Sequence, residues 1–163
     1  MLQDVKENFI QTVIDEYSNA VYKLCIIYLK NYHDAEDAVQ EVFIKIIEKA
    51  PSFSSDGHKK AWIIKVTINH CKNILKRKKH ETMLDDNLAS YVEKFDNKEI
   101  LQSIFDLPLN YRNVVYLYYY EGYSTKEISY ILKKRDATIR TWLKRARDSL
   151  KEVIGGAYDE KNL

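Results

Sequence analysis

Two stretches of the chain concentrate the side chains that meet phosphate and nucleobases. Residues 57–80 hold eight basic and no acidic residues, and residues 133–147 hold seven basic and one acidic. The first block interleaves Lys59, Lys60, Lys72, Lys76 and Arg77 with Trp62 and the amides Asn69 and Asn73. Cations that follow a backbone, a ring for stacking and amides for base edges are what a single-strand reader needs. The loop before it, Phe53 to Gly57, is small and polar enough to admit an unstacked base. Trp62 also lies on an apolar stripe, where a Trp commonly packs in a core, so this block alone supports nucleic-acid binding only in part. In the second block, wheeling the segment at about 100° per residue puts Leu143, Ala146 and Leu150 beside Ile139. Thr138, Arg140, Thr141, Lys144 and Arg145 fill the opposite arc. Arginine reads guanine bidentately, while Lys and Thr mostly hold phosphate. Trp142 falls on the flank of the apolar stripe, and a solvated basic face is the competing reading.

The elements that position these groups read as helices throughout. The chain has 163 residues, with 4 Gly and 2 Pro, too few turn formers for a sandwich or barrel. A first helix spans about Val5–Lys30, with Ile10, Val13, Ile14, Tyr17, Val21, Leu24 and Tyr28 on one face. Asp34 is the expected cap of a second, whose apolar face is Val39, Val42, Phe43, Ile46 and Ile47 and which stops at Ala50-Pro51. Ser52–Gly57 reads as loop, and a third helix as His58–Lys79, with His70 a half-buried packing residue. Residues 81–98 read as an acidic linker, with a helical turn near Leu88–Val92. Beyond it come Glu99–Phe105, then Tyr111–Glu121 closed by Gly122 in a left-handed conformation. Ser124 and Glu127 form a capping box, and after Lys133–Asp136 a last helix starts at Ala137, capped by Asp136. Helix, glycine, Ser-capped helix, short turn and basic helix is the spacing of a helix-turn-helix.

Composition excludes several classes. The net charge of +2 conceals the two basic blocks, which are offset by acidic stretches such as residues 1–56, with ten acidic and five basic residues. No apolar run is long enough for a transmembrane helix. The N-terminus, with Asp4, Lys6 and Glu7, lacks a signal-peptide pattern, which predicts a cytosolic protein. Cys25 and Cys71 lack metal-ligand spacing and read as reduced, packed thiols. There is no catalytic constellation or Gly-rich phosphate loop, so neither an enzyme, a cofactor nor a metal is expected.

Asp34-Ala35-Glu36-Asp37-Ala38-Val39-Gln40-Glu41-Val42-Phe43 closely resembles the second-helix signature of the sigma-70 family in its extracytoplasmic-function branch. Trp62 through Arg77 is similar to that family's promoter-melting helix. Leu107-Pro108, Tyr111-Arg112, Glu121-Gly122, Ser124, Glu127-Ile128, Ile131-Leu132, Thr138-Ile139, Leu143 and Arg145-Ala146-Arg147 resemble its C-terminal helix-turn-helix. The resemblance implies an all-α protein of two small helical domains: residues 1–80 for polymerase docking and −10 melting, and 99–156 for the −35 element. Residues 81–98 would be an acidic linker threading the polymerase, and 157–163 a tail.

It further implies a promoter-specificity subunit whose partners are core RNA polymerase, promoter DNA in duplex and melted form, and an anti-sigma factor. Asp34, Glu36, Asp37, Gln40 and Glu41 match the docking positions. Lys59, Lys60, Trp62, Asn69, Lys72, Asn73, Lys76 and Arg77 fall in the −10 segment. Arg112, Arg135, Thr138, Arg140, Thr141, Lys144 and Arg145 fall in the −35 segment. Three departures stand out. Lys133, Lys134 and Arg135 replace the family's usual Gly, apolar residue and Ser or Pro, so Lys133 must bear a strained turn or take another. Ile68 and Asn73 stand where Arg and Asp are common. The alternative is a one-component regulator that binds paired duplex half-sites without polymerase.

Overall fold

Apolar residues every three to four positions in a glycine-poor chain leave few ways to bury them except against other helices. The computed structural model describes residues 1–78 and 98–154, and every regular element among them is helical. The expected linker up to residue 97, including the turn at Leu88–Val92, and the tail lie outside the described residues, as do Lys79, His80 and the Gly155-Gly156 pair. The chain divides into two units, Met1–Asp85 and Asp86–Leu163. Among the described residues no helix is long and apolar enough to cross a membrane.

In the first unit α1 (Leu2–Leu29), α2 (Tyr32–Lys49) and α3 (Asp56–Arg77) pack pairwise on one another. Val13, Tyr17, Val21, Leu24 and Tyr28 of α1 meet Val39, Val42 and Ile46 of α2 and Ile63, Ile64, Ile68 and Ile74 of α3, all buried. Ile14, expected on that stripe, is instead 37% exposed. The Sγ atoms of Cys25 and Cys71, both fully buried, lie 3.8 Å apart with the Cys71 thiol donating. That hydrogen bond, then burial, pushes the Cys25 thiol far up.

The N-terminal caps differ from expectation. Asn31, not Asp34, caps α2, its side chain accepting from the Asp34 N–H at 2.9 Å. Asparagine at that site frees the Asp34 carboxylate for another partner. Ser55 caps α3 by accepting from the His58 N–H at 3.1 Å, so the helix starts at Asp56 and takes in Gly57. At the other end of α1, Lys30 closes the helix in a left-handed conformation, φ 50°.

The second unit holds α4 (Lys98–Phe105), α5 (Leu109–Val115), a π-helical turn over Tyr116–Tyr120, α6 (Thr125–Leu132) and α7 (Asp136–Ile154). The predicted helix Tyr111–Glu121 is thus two residues longer at its start and widens to π geometry at its end. Tyr116 donates its hydroxyl to Glu121 at 2.6 Å and stacks on Tyr120, centroids 5.7 Å apart. Gly122 takes φ 74°, as a left-handed C-terminal residue should, and the Ser124/Glu127 capping box is formed. Ile104, Phe105, Val114, Leu117, Ile128, Ile139, Leu143, Ala146 and Leu150 build the core against α7.

Candidate nucleic-acid interface

The turn into α7 fixes what that helix can present. Lys133 adopts φ 54°, the left-handed region where glycine is favoured, so the chain keeps the expected turn shape at the cost of backbone strain. Ser129 pins the next residue twice: its carbonyl accepts from the Lys134 N–H at 3.1 Å, and its hydroxyl donates to the Lys134 carbonyl. Ile139 N–H bonds the Arg135 carbonyl at 3.1 Å, which makes Arg135 the cap position and puts Asp136 in the first turn rather than at the cap.

Ile139, Leu143, Ala146 and Leu150 are at most 2% exposed, so α7 turns them fully inward. Arg135, Arg140, Thr141, Lys144 and Arg145 are exposed, Thr138 and Trp142 half-buried. The Arg140 Nε lies 3.2 Å from an Asp136 carboxylate oxygen, and the Thr141 hydroxyl donates back to the Ala137 carbonyl at 2.9 Å. Lys133 and Lys134 are also exposed beside this face. Sequence reading passed over them as candidates because they fall in the turn and off the helical wheel.

Arg112 does not belong with this face. It is 6% exposed and donates from Nη1 to the Leu107 carbonyl at 3.0 Å, tying α5 to the Leu107-Pro108 break. A guanidinium spent on a buried carbonyl cannot reach a groove, and the expected −35 contact is corrected to a structural one.

On α3, Asn69, Lys72, Asn73, Lys76 and Arg77 are exposed. With Trp62 they fall within about 80° of Asn69 round the helix. Trp62 is half-buried against Phe53, centroids 5.6 Å apart, and Phe53 also meets His58 edge-on at 5.5 Å. The small loop is therefore an aromatic corner. Two expected members sit elsewhere. The Lys59 ammonium lies over the rings of Phe9 and Tyr17 of α1, at 5.4 and 5.6 Å, a pair of cation–π contacts inside the unit. Lys60 is half-buried and about 180° round the helix from Asn69.

The acidic helix α2 presents Asp37, Gln40 and Glu41 outward. Asp34 shares that side but pairs with Lys78 at 2.7 Å. Glu36 does not: it lies about 100° away and accepts from the Tyr22 hydroxyl at 3.2 Å. Burial, then the Glu36 charge, pushes the Tyr22 phenol up to about 12. Asp34, Asp37, Ala38 and Glu41 with Ile74, Arg77 and Lys78 line a cavity of about 220 Å³ between α2 and α3.

Sequence reading missed two residues here. Ile44 is 54% exposed in line with Asp37 and Glu41, and its signal was an apolar residue opposite the Val42–Ile46 stripe. His70, expected merely to pack, is 4% exposed and polar in its contacts, with Lys45 Nζ 2.9 Å from Nδ1 and Glu41 Oε2 2.6 Å from Nε2. Among the described residues no group of three or more His, Cys, Asp or Glu side chains is placed to hold a metal ion.

Comparison with known proteins locates both units. The sigma-70 region 2 family model matches residues 13–81, and the sigma-70 region 4 model matches residues 97–150. The chain is 30% identical to the ECF RNA polymerase sigma factor SigM of Bacillus subtilis, covering 93% of this chain and 99% of that one. It is 28% identical to the ECF RNA polymerase sigma factor SigW of the same organism, covering 87% of each. The fold is shared with the sigma factor RpoE solved with the anti-sigma factor NepR from Bartonella quintana, at a TM-score of 0.73 and 19% identity over 93% of this chain and 99% of that one. It is also shared with CnrH solved with the cytosolic domain of CnrY, at a TM-score of 0.69 and 16% identity over 93% and 91% of the two chains. Matched in order by both family regions and along nearly its whole length by a relative, the chain belongs to the sigma-70 family in its extracytoplasmic-function branch, the promoter-specificity subunits of RNA polymerase.

Proposed function

We propose that the three exposed faces divide the work of initiation. The α2 face of Asp37, Gln40, Glu41 and Ile44 docks core polymerase, an acidic surface with one apolar centre suited to a basic partner. The α3 stripe of Trp62, Asn69, Lys72, Asn73, Lys76 and Arg77 holds the melted −10 strand. The outer face of α7, with Arg135, Arg140, Lys144 and Arg145, reads the −35 element as duplex. Residues 1–80 and 99–156 are the two working domains, joined by the acidic linker 81–98, and the protein acts in the cytoplasm without catalytic chemistry of its own.

The observation that carries this reading is the one-sidedness of α7: buried Ile139, Leu143, Ala146 and Leu150 on one side, cations on the other. An anti-sigma partner is part of the proposal, because two relatives of this fold were solved with such a partner or a partner's cytosolic domain. Run-off transcription with purified core polymerase on genomic fragments tests it. Promoter-specific transcripts that need the protein are expected. No such transcripts, with the free protein protecting a duplex palindrome, would replace this reading by that of a stand-alone regulator.

A further inference from the structure

We infer that Asp136 is a positioning residue that turns Arg140 into a reader of a single guanine in the upstream promoter element. The inference rests on α7 being the duplex-reading helix. An exposed ion pair one helical turn apart adds little to stability, so its importance lies in geometry. The carboxylate oxygen Oδ2 lies 3.2 Å from Nε of Arg140, on the inner edge of the guanidinium. With the carboxylate beside this inner edge, the two terminal nitrogens are left as a parallel pair of donors pointing along the side chain. That edge matches the O6 and N7 acceptors of guanine in the major groove.

Asp136 is itself partly enclosed. Its side chain is 30% exposed against 65% for Arg140, and Oδ1 is shielded from solvent without a hydrogen-bond partner. The carboxylate also sits in the first turn of α7, where the helix dipole favours a negative charge. A flexible cation on an exposed face contacts any phosphate within reach. The same cation beside Asp136 is biased toward one base edge. Among the described residues Lys144 and Arg145 carry no such ion pair, and they serve as backbone contacts.

Because Asp136 is an anion beside a polyanion, its removal has effects of opposite sign. Loss of the ion pair lowers discrimination for guanine, while loss of the negative charge raises affinity for duplex of any sequence. A merely structural residue would lower both together.

The experiment uses full-length protein assembled with core polymerase, on promoter fragments randomised across the upstream element, at several salt concentrations. Arg140→Ala should abolish a guanine preference at one position. Asp136→Asn should weaken the preference at that same position by about twofold, with non-specific duplex affinity higher, and Asp136→Glu should retain it. Thermal melting of each variant separates a folding defect from a recognition defect. If Arg140→Ala removes the guanine preference and Asp136→Asn leaves it intact, the positioning role is wrong and the reading of α7 stands. If Arg140→Ala changes no base preference, the guanine assignment to Arg140 is wrong; if Arg135→Ala and Arg145→Ala change none either, the reading of α7 is wrong as well.

Discussion

His70 Nε2 stands 2.6 Å from Glu41 Oε2, which links the helix with the acidic outer face to the helix with the amide and cation stripe. The two atoms are close without the alignment of a hydrogen bond. On the other side of the ring Lys45 Nζ is 2.9 Å from Nδ1. An ammonium has only donors, so Nδ1 must accept, and the ring proton rests on Nε2, on the Glu41 side of the ring. The neutral imidazole thus sits between a cation and an anion of one helix.

This arrangement makes the first unit pH-sensitive. Burial, then the Lys45 charge, holds the His70 pKa below its ordinary 6.5, with Arg77 adding to the effect and Glu41 opposing it. The unfolded chain therefore takes up a proton at higher pH than the folded one. Stability is full above the unfolded value and falls as pH drops from 6.5 toward the depressed folded value. In a Trp142→Phe background, Trp62 fluorescence follows unfolding of this unit alone. His70→Gln should flatten the slope below pH 6.5; an unchanged slope would assign it to other groups.

The docking face separates residues free to meet a partner from those held within the fold. Asp37→Lys and Gln40→Lys should each weaken binding to core polymerase by about tenfold and shift unfolding by no more than about 0.5 kcal/mol. Asp34→Lys faces Lys78 across 2.7 Å and should cost about 1 kcal/mol of stability as well. Equal effects of all three on stability would contradict this partition.

Arg112→Ala should destabilise the second unit by about 2–3 kcal/mol, because the buried Leu107 carbonyl loses a charged donor. Base preference on promoter fragments should stay the same. A stable Arg112→Ala protein with altered preference would return this residue to the DNA-contacting set.

Lys133→Gly should stabilise the same unit by about 1 kcal/mol, since φ 54° suits glycine better than a residue with a Cβ. Denaturant titration of a Trp62→Phe variant, followed by Trp142, measures it. A loss of stability would show that the lysine side chain contributes more to folding than its backbone conformation costs.

What was legible in the sequence follows physical range. The buried face of α7 and the Ser124/Glu127 box depend on neighbours within one or two turns, and periodicity reports those directly. Capping of α2 was misread because Asn31 and Asp34 both suit an N-cap and lie three residues apart, so local preference does not choose between them. The resemblance groups Glu36 with Asp37 by position in the run, but Tyr22, fourteen residues away in sequence, draws it toward α1. Arg112 and His70 were misread for the same reason. A side chain's partner across a helix interface is set by packing of the whole unit, and formal charge carries no information on it.

The paired thiols of α1 and α3 have a practical consequence. The chain's only two cysteines are Cys25 and Cys71, both fully buried and both in the first unit. A thiol reagent can reach them when that unit opens. At saturating reagent the alkylation rate is therefore a stopwatch for the opening of one domain inside an otherwise native protein. Any partner that clamps the first unit should slow that stopwatch without touching a cysteine.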